Sequence, residues 1–263
     1  MKKTLIFIFV FVGLGVTYPK ALIHAQGADK TRSDYLFVLD QYSLNHDEYI
    51  KAKQNYRNHR NLASKNKALE AEKKVLLARN ETLRTYLLLL KDALSFSKRP
   101  TQMSKEPVEN LINVQLDFLA DNKKKLLTAN SIKDLDGLSL ELEGRKKYLT
   151  NLVRLTRNYI YLGRLGFHFF EVREVSYKLL FMAIDKLGDG DIKFVRYSND
   201  VNSQLATTLN SWEESSSSLG ELIANKKWLK ADWQSLEAKI KALESQLITL
   251  IAFNQDMISI LEK

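Results

Sequence analysis

Cysteine is absent from this sequence, and residues that break helices are scarce. The chain of 263 residues contains no cysteine, three prolines and ten glycines. Without cysteine there is no disulfide framework, no thiol nucleophile and no thiolate metal ligand. Between Gly27 and Pro100 lie 72 residues with neither glycine nor proline, in a chain rich in Leu, Lys, Ala and Glu. This composition favours long helices and predicts an all-α protein.

Sequence motifs for catalysis or for metal binding are also lacking. There is no G-x-S-x-G element and no Gly-rich phosphate loop. His46, His59 and His168 have no histidine or glutamate at a metal-ligand spacing. In the segment Gly188-Asp-Gly-Asp191 the acids are not at alternate positions before a glycine, and the final glutamate of a calcium loop is missing, so the segment indicates a plain turn. We therefore predict a protein that is not an enzyme and that binds no cofactor and no metal.

The N-terminal residues have the pattern of an export signal. A basic start, Met1-Lys2-Lys3, precedes twelve apolar residues from Leu5 to Val16, and Ala25 offers a small residue before a cut. Twelve apolar residues are too few for an ordinary membrane span of about 20. Residues 1–25 are thus predicted to be a signal peptide cleaved before Gln26, with an uncleaved anchor as the alternative. The expected location is outside the cytoplasm of a bacterium: secreted, on the cell surface or periplasmic.

The mature chain is predicted to consist of three helical parts. A capping box at Thr31-Arg-Ser-Asp34 begins a helix that is expected to continue to about Ser97, roughly 95 Å if straight. We accordingly assign residues 26–97 to one long basic coiled-coil helix and residues 98–212 to a central helical bundle. Serines 215–218 are read as a linker, and residues 213–263 as a C-terminal coiled-coil helix. The predicted fold class is all-α, an elongated helical bundle with long coiled-coil arms.

The C-terminal part carries the most regular heptad pattern. Apolar residues alternate in steps of four and three, as in a coiled-coil seam: Leu229, Trp233, Leu236, Ile240, Leu243, Leu247 and Leu250. Asn254 continues the pattern as a polar residue of the kind that fixes register. The seam is compatible with packing inside one chain and with a homo-oligomer.

Tyrosine recurs every seven residues near the start of the mature chain, at Tyr35, Tyr42, Tyr49 and Tyr56. Residues seven apart lie on one stripe of a helix, and tyrosine can pack its ring while its hydroxyl reaches water. We predict a packing seam, with an exposed strip that contacts sugars or peptide as the alternative. The stripe changes phase between Tyr56 and Leu62, which indicates a change of packing partner there.

Positive charge is concentrated in residues 51–79. The segment contains two acids, Glu70 and Glu72, and nine basic residues, so its net charge is +7. The basic residues are Lys51, Lys53, Arg57, Arg60, Lys65, Lys67, Lys73, Lys74 and Arg79. This indicates either a solvated helical face or electrostatic capture of an anionic partner. Candidate partners are lipid headgroups, an anionic envelope polymer or an acidic protein. An export signal and the lack of any nucleic-acid motif argue against DNA or RNA.

The aromatic-rich residues 158–170 are predicted to form a buried core helix, with a membrane-entering element as the alternative.

Taken together, these features predict a non-enzymatic exported scaffold or binding protein of a bacterial cell envelope. It would contact a protein partner or an anionic surface. Two alternatives remain: a helical pore-forming or membrane-disrupting protein, and a holdase-type chaperone for exported chains.

Overall fold

The computed structural model describes residues 26–97 and 104–262, and within these ranges the chain is helical without any β-strand. The helices are α1 Gln26–His59, α2 Leu62–Phe96, α3 Glu106–Thr128, α4 Ile132–Gly144, α5 Lys146–Leu187, α6 Ile192–Ala224, a 3₁₀-helix Lys227–Lys230 and α7 Trp233–Leu261. The predicted all-α class is confirmed. The expected signal peptide, residues 1–25, lies outside the described residues.

The chain divides into two compact units. The first contains α1 to α4 and the beginning of α5, up to Thr156. The second contains the rest of α5, then α6, the 3₁₀-helix and α7. These boundaries differ from the three predicted parts, because helix α5 continues from one unit into the other.

The single helix expected over residues 26–97 is wrong, because the chain turns back at Arg60 and Asn61. Arg60 has φ = +48°, a left-handed conformation that no α-helix can continue through. Asn61 then caps α2, since its side-chain oxygen accepts a hydrogen bond from the backbone N–H of Ser64 over 2.8 Å. Two antiparallel helices thus replace the extended arm. The turn coincides with the phase change between Tyr56 and Leu62.

Packing of α1 on α2 gives the tyrosine stripe its partners. The ring centroids of Tyr35 and Tyr86 are 5.2 Å apart, and the Tyr49 hydroxyl donates to Glu72 over 3.4 Å. The numbers of the facing residues add up to 121 in both pairs. This register sets the four tyrosines opposite Tyr86, Arg79, Glu72 and Lys65.

A second antiparallel register joins α2 to α3. The Asn80 side chain donates to Asn122 over 3.0 Å, inside the core, and Lys123 forms an ion pair with Glu81 at 2.9 Å. Each helix has one set of buried residues in alternating steps of four and three: Leu76, Asn80, Leu83, Leu87, Leu90 and Leu94 on α2, and Val108, Ile112, Gln115, Leu119, Asn122 and Leu126 on α3. These two sets form a seam within the first unit.

In the second unit, α7 packs along α6. Trp233, Leu236, Ile240, Leu243, Leu247 and Leu250 are all buried. The Gln204 side chain of α6 donates to the backbone carbonyl of Gln246 on α7 over 3.1 Å. The heptad seam is thus covered within one chain, and a homo-oligomer through it stays a prediction that would require α6 to move.

The predicted start of the C-terminal helix and the serine linker are both wrong. Helix α6 continues to Ala224, so Ser215 and Ser216 lie inside it and are buried. Lys226 then takes a left-handed conformation with φ = +52°, and Leu229 falls in the 3₁₀-helix rather than in α7. Serine is a mediocre helix former, but packing of α6 on its neighbours overrides that preference.

Residues 158–170 lie within α5 and supply core side chains to the second unit, as the buried-helix interpretation expected. Tyr159, Leu162 and Phe169 are fully or almost fully buried. Gly166 permits a close approach of α6: a Cβ atom at this position would lie 2.4 Å from the Trp212 ring nitrogen. The indole fills the space that any larger residue would need.

Candidate functional site

The turn between α1 and α2 extends past the apolar core of the first unit. Tyr42, Val75 and Leu76 form a cluster with residues from α3, α4 and their connection, and Tyr49 and Leu69 pack at its edge. Residues 51–67, called the basic tip from here on, lie beyond this edge. Within the described tip Ser64 is the one buried residue, and Ala68 is buried just past its end. The tip is therefore a two-helix projection with few apolar contacts.

The basic tip contains six lysines and arginines and no aspartate or glutamate. Most of the cations are exposed, and the first residue of α2, Leu62, is 73% exposed at the apex. Within the described ranges, Lys51, Arg60, Lys65 and Lys67 belong to no ion pair. A concentrated, uncompensated positive field of this kind attracts polyanions.

The nine basic residues singled out in the sequence fall into three groups. Lys51, Arg57, Arg60, Lys65, Lys67 and Lys74 are exposed. Lys53 and Lys73 are partly buried and hold internal partners. The Lys53 ammonium donates to the Tyr49 hydroxyl, and Lys73 donates to the backbone carbonyls of Leu127 and Ala129, at the end of α3. The ninth, Arg79, is only 1% exposed.

Placing Arg79 on a contact surface is therefore wrong. It lies between α1 and α4, where its guanidinium pairs with Glu143 at 2.7 Å, and it also contacts Ser139. Burial lowers the pKa of Arg79, while the charges of Glu143 and nearby Tyr42 act in the opposite direction. Arg79 is a core residue because α4, some 60 positions later in the chain, supplies its carboxylate.

Burial of the tyrosine stripe decreases toward the basic tip. Tyr35 and Tyr42 are buried, whereas Tyr49 and Tyr56 are partly exposed. Burial, together with the neighbouring Tyr86, raises the pKa of Tyr35 to about 12. The rings of the first two tyrosines are core residues of the α1–α2 packing, so they present no open strip.

A small ionic cluster lies where the tip meets the core. Burial, reinforced by the charge of Asp136, raises the pKa of Glu72, and Lys53 and Tyr49 offset this only in part. The carboxylate accepts its hydrogen bond from Tyr49. Burial of Glu72 thus opposes its negative charge.

The second unit presents two further surface features. A cleft of about 260 Å³ lies at the junction of α6, the 3₁₀-helix and α7, and is lined by both acids and lysines. Around the turn between α5 and α6, large apolar side chains reach solvent, with Phe181 74% and Ile192 83% exposed. We call this the apolar turn surface, made up of Tyr177, Phe181, Met182, Ile184 and Ile192.

Asn254 is the polar residue of the C-terminal seam, and its hydrogen bonds explain why a polar side chain is buried there. Its side-chain oxygen accepts hydrogen bonds from the Ser176 and Tyr197 hydroxyls, each over 3.0 Å. Burial raises the pKa of Tyr197 to about 12. The three residues come from α7, α5 and α6, so this buried network ties all three helices of the unit to one register.

Among the helices of residues 26–97 and 104–262, none combines the length and hydropathy needed to cross a bilayer. The part of the chain that the structure describes also contains no cluster of three or more histidine, aspartate or glutamate side chains suited to a metal ion. No protein-family model, curated protein or solved structure matches the chain. Its function must therefore be inferred from its own surfaces.

Proposed function

We propose that this chain is an exported, non-enzymatic binding protein of a bacterial cell envelope whose basic tip contacts an anionic surface. The observation that carries the proposal is the block of residues 51–67, with six cations and no acid, projecting beyond the core on a helical hairpin. The hairpin presents these charges together, and phosphate-rich lipid or polymer is a complementary partner. The N-terminal signal pattern supports a location where such surfaces occur.

Binding to anionic vesicles tests this proposal. The variant Lys65→Gln/Lys67→Gln/Lys74→Gln removes three exposed charges from α2 and leaves Lys73, which caps α3, in place. Near an anionic leaflet each lysine contributes about 1 kcal/mol, so we expect about a 100-fold loss of affinity for phosphatidylglycerol vesicles. Glutamine and lysine have similar helix propensities, so helicity should hardly change.

A matched control removes the same charge elsewhere. Lys226→Gln/Lys230→Gln/Lys241→Gln alters three exposed lysines of the second unit and should retain most of the binding. Wild-type binding should weaken as salt rises, because exposed charges are screened over about 8 Å at physiological ionic strength. Polyphosphate as a competitor distinguishes a lipid headgroup from a soluble phosphate polymer. Binding that does not change with salt, or full binding by the α2 variant, would contradict the proposal and show that the tip is only a solvated helical face.

Export has its own test. A basic start, a short apolar core and Ala25 favour cleavage before Gln26. Mass spectrometry of the chain recovered from an expressing bacterium should give an N-terminus near Gln26. An intact Met1 chain in the membrane fraction would instead support an anchor.

A holdase is the second candidate, and the apolar turn surface favours it. Exposed apolar patches of this kind mark contacts with other proteins, including unfolded segments. The chain should then suppress aggregation of an unfolded client, and Phe181→Ser/Ile192→Ser should abolish the effect. Val114→Ser/Leu140→Ser, which alters two exposed apolar residues of the first unit, is the control. No suppression by the wild-type chain would remove this candidate.

A further inference from the structure

Helix α1 has a second face, opposite the tyrosine stripe, that the first unit leaves uncovered. The residues on this outer face are all exposed and recur in alternating steps of three and four: Phe37, Asp40, Leu44, Asp47, Lys51, Gln54 and Asn58. Phe37 is 64% and Leu44 59% exposed. Regular three–four spacing is what a helix needs to pair along its length with another helix.

The charges of the hairpin are separated into two adjoining blocks. Residues 33–50 contain four acids, Asp34, Asp40, Asp47 and Glu48, and no lysine or arginine. The basic tip follows at once, and its part within α1 contains three cations, Lys51, Lys53 and Arg57, and no acid. The boundary between the blocks lies on the outer face itself, between Asp47 and Lys51. A helix charged in this way is complementary to an antiparallel copy of itself, since each acidic block then meets a basic block.

We propose that a second copy of this chain docks antiparallel on the outer face of α1, about a twofold axis. In the register that sets Asp47 opposite Lys51, the numbers of facing residues add up to 98. Asp47 of one copy then lies opposite Lys51 of the other, and Leu44 opposite Gln54. Twofold symmetry repeats each contact.

Two alternatives to this register set like charges together. A parallel pair would align acidic with acidic and basic with basic blocks. An antiparallel pair shifted by three positions would bring Asp47 against Glu48 of the other copy. At the ends of the pair, Phe37 of one copy comes close to the hairpin apex of the other, where Leu62 is 73% exposed.

The contact is small, so the association is expected to be weak. In this register the two copies of α1 overlap from residue 39 to residue 59, about 30 Å, and at about 10 Å width each copy covers about 300 Å². The total of about 600 Å² is below the range of about 1,200–2,000 Å² for stable complexes. We therefore expect a dimer that forms at high micromolar concentration and dissociates as salt rises.

Sedimentation equilibrium of the chain beginning at Gln26 tests the proposal, at concentrations up to about 1 mM and between about 0.05 M and about 0.5 M salt. Asp47→Lys and Lys51→Asp should each weaken the dimer at least 10-fold, because each substitution creates two like-charge contacts in a symmetric pair. The double exchange Asp47→Lys/Lys51→Asp should restore it. Circular dichroism checks that all variants keep their helicity.

Two outcomes would overturn the proposal: a chain that stays monomeric at about 1 mM in low salt, and a dimer whose single variants associate as the wild type does. Failure of the double exchange to restore the dimer would refute the register. The test is independent of the proposed function. Asp47→Lys should abolish the dimer yet keep vesicle binding, whereas Lys65→Gln/Lys67→Gln, on α2, should weaken vesicle binding and keep the dimer.

Discussion

The ion pair of Arg79 and Glu143 yields a prediction about which of its members matters more for stability. The charged groups lie 2.7 Å apart, but the side chain of Arg79 is 2% exposed and the side chain of Glu143 is 33% exposed. Glu143→Leu would leave a guanidinium buried without its carboxylate. Arg79→Met would fill a similar volume and leave a carboxylate that can turn toward water. The first substitution should therefore cost far more stability than the second.

The magnitudes follow from this difference in exposure. Leaving one member of a buried ion pair without its partner costs about 3–5 kcal/mol, whereas replacing a buried charge with a well-packed apolar side chain is often close to neutral. We expect about 3–5 kcal/mol for Glu143→Leu and about 1 kcal/mol or less for Arg79→Met. The double variant should be close to Arg79→Met, because no buried charge remains in it.

Urea unfolding followed by far-ultraviolet circular dichroism measures both substitutions. All three tryptophans, Trp212, Trp228 and Trp233, belong to the second unit. Their fluorescence is therefore an internal control that changes in the first unit should leave largely unaltered. Equal destabilisation by the two substitutions, or a larger effect of Arg79→Met, would refute the reasoning about burial.

Three more predictions concern single positions. Gly166→Ala should destabilise the second unit by about 1–3 kcal/mol, because its Cβ would lie 2.4 Å from the Trp212 ring nitrogen. Gly137→Ala, which meets open space, is the matched control and should be neutral or stabilising; tryptophan fluorescence and dichroism during thermal melts report both. Folding raises the pKa of Glu72, so protonated Glu72 stabilises the fold at pH values below the usual glutamate pKa, and this stability is lost as the pH rises through the folded pKa. Glu72→Gln should remove this pH dependence of stability and raise the melting temperature at pH 7. An unchanged pH profile would contradict the raised pKa. Leu243→Asp should lower the free energy of unfolding by several kcal/mol and abolish cooperative unfolding of the second unit, while the mass in solution stays unchanged. Loss of an oligomer on this substitution would show that the seam also packs between chains.

Local properties of the sequence account for the helical class and for the helix faces. Scarce glycine and proline, together with heptad columns such as Leu236 to Leu250, are enough to predict helices and their apolar sides, because both depend on neighbouring residues. The same holds for the charge of the basic tip. The sequence even marked the hairpin turn through the phase change after Tyr56, although it did not specify that the chain reverses there.

Pairing between helices was decided only by tertiary structure. Arg79 looked like one more surface cation, and it is buried because Glu143, distant in the chain, supplies its counter-charge. Ser215 and Ser216 resembled a linker, but α6 continues through them because its apolar side is covered by neighbouring helices. The reversal at Arg60 has the same origin. A left-handed residue costs about 1–2 kcal/mol locally, and only the packing of α1 along α2 offsets it. The periodicity of apolar residues predicts which side of a helix is buried. Which helix packs on that side depends on contacts between residues far apart in the chain, and no local pattern encodes those contacts.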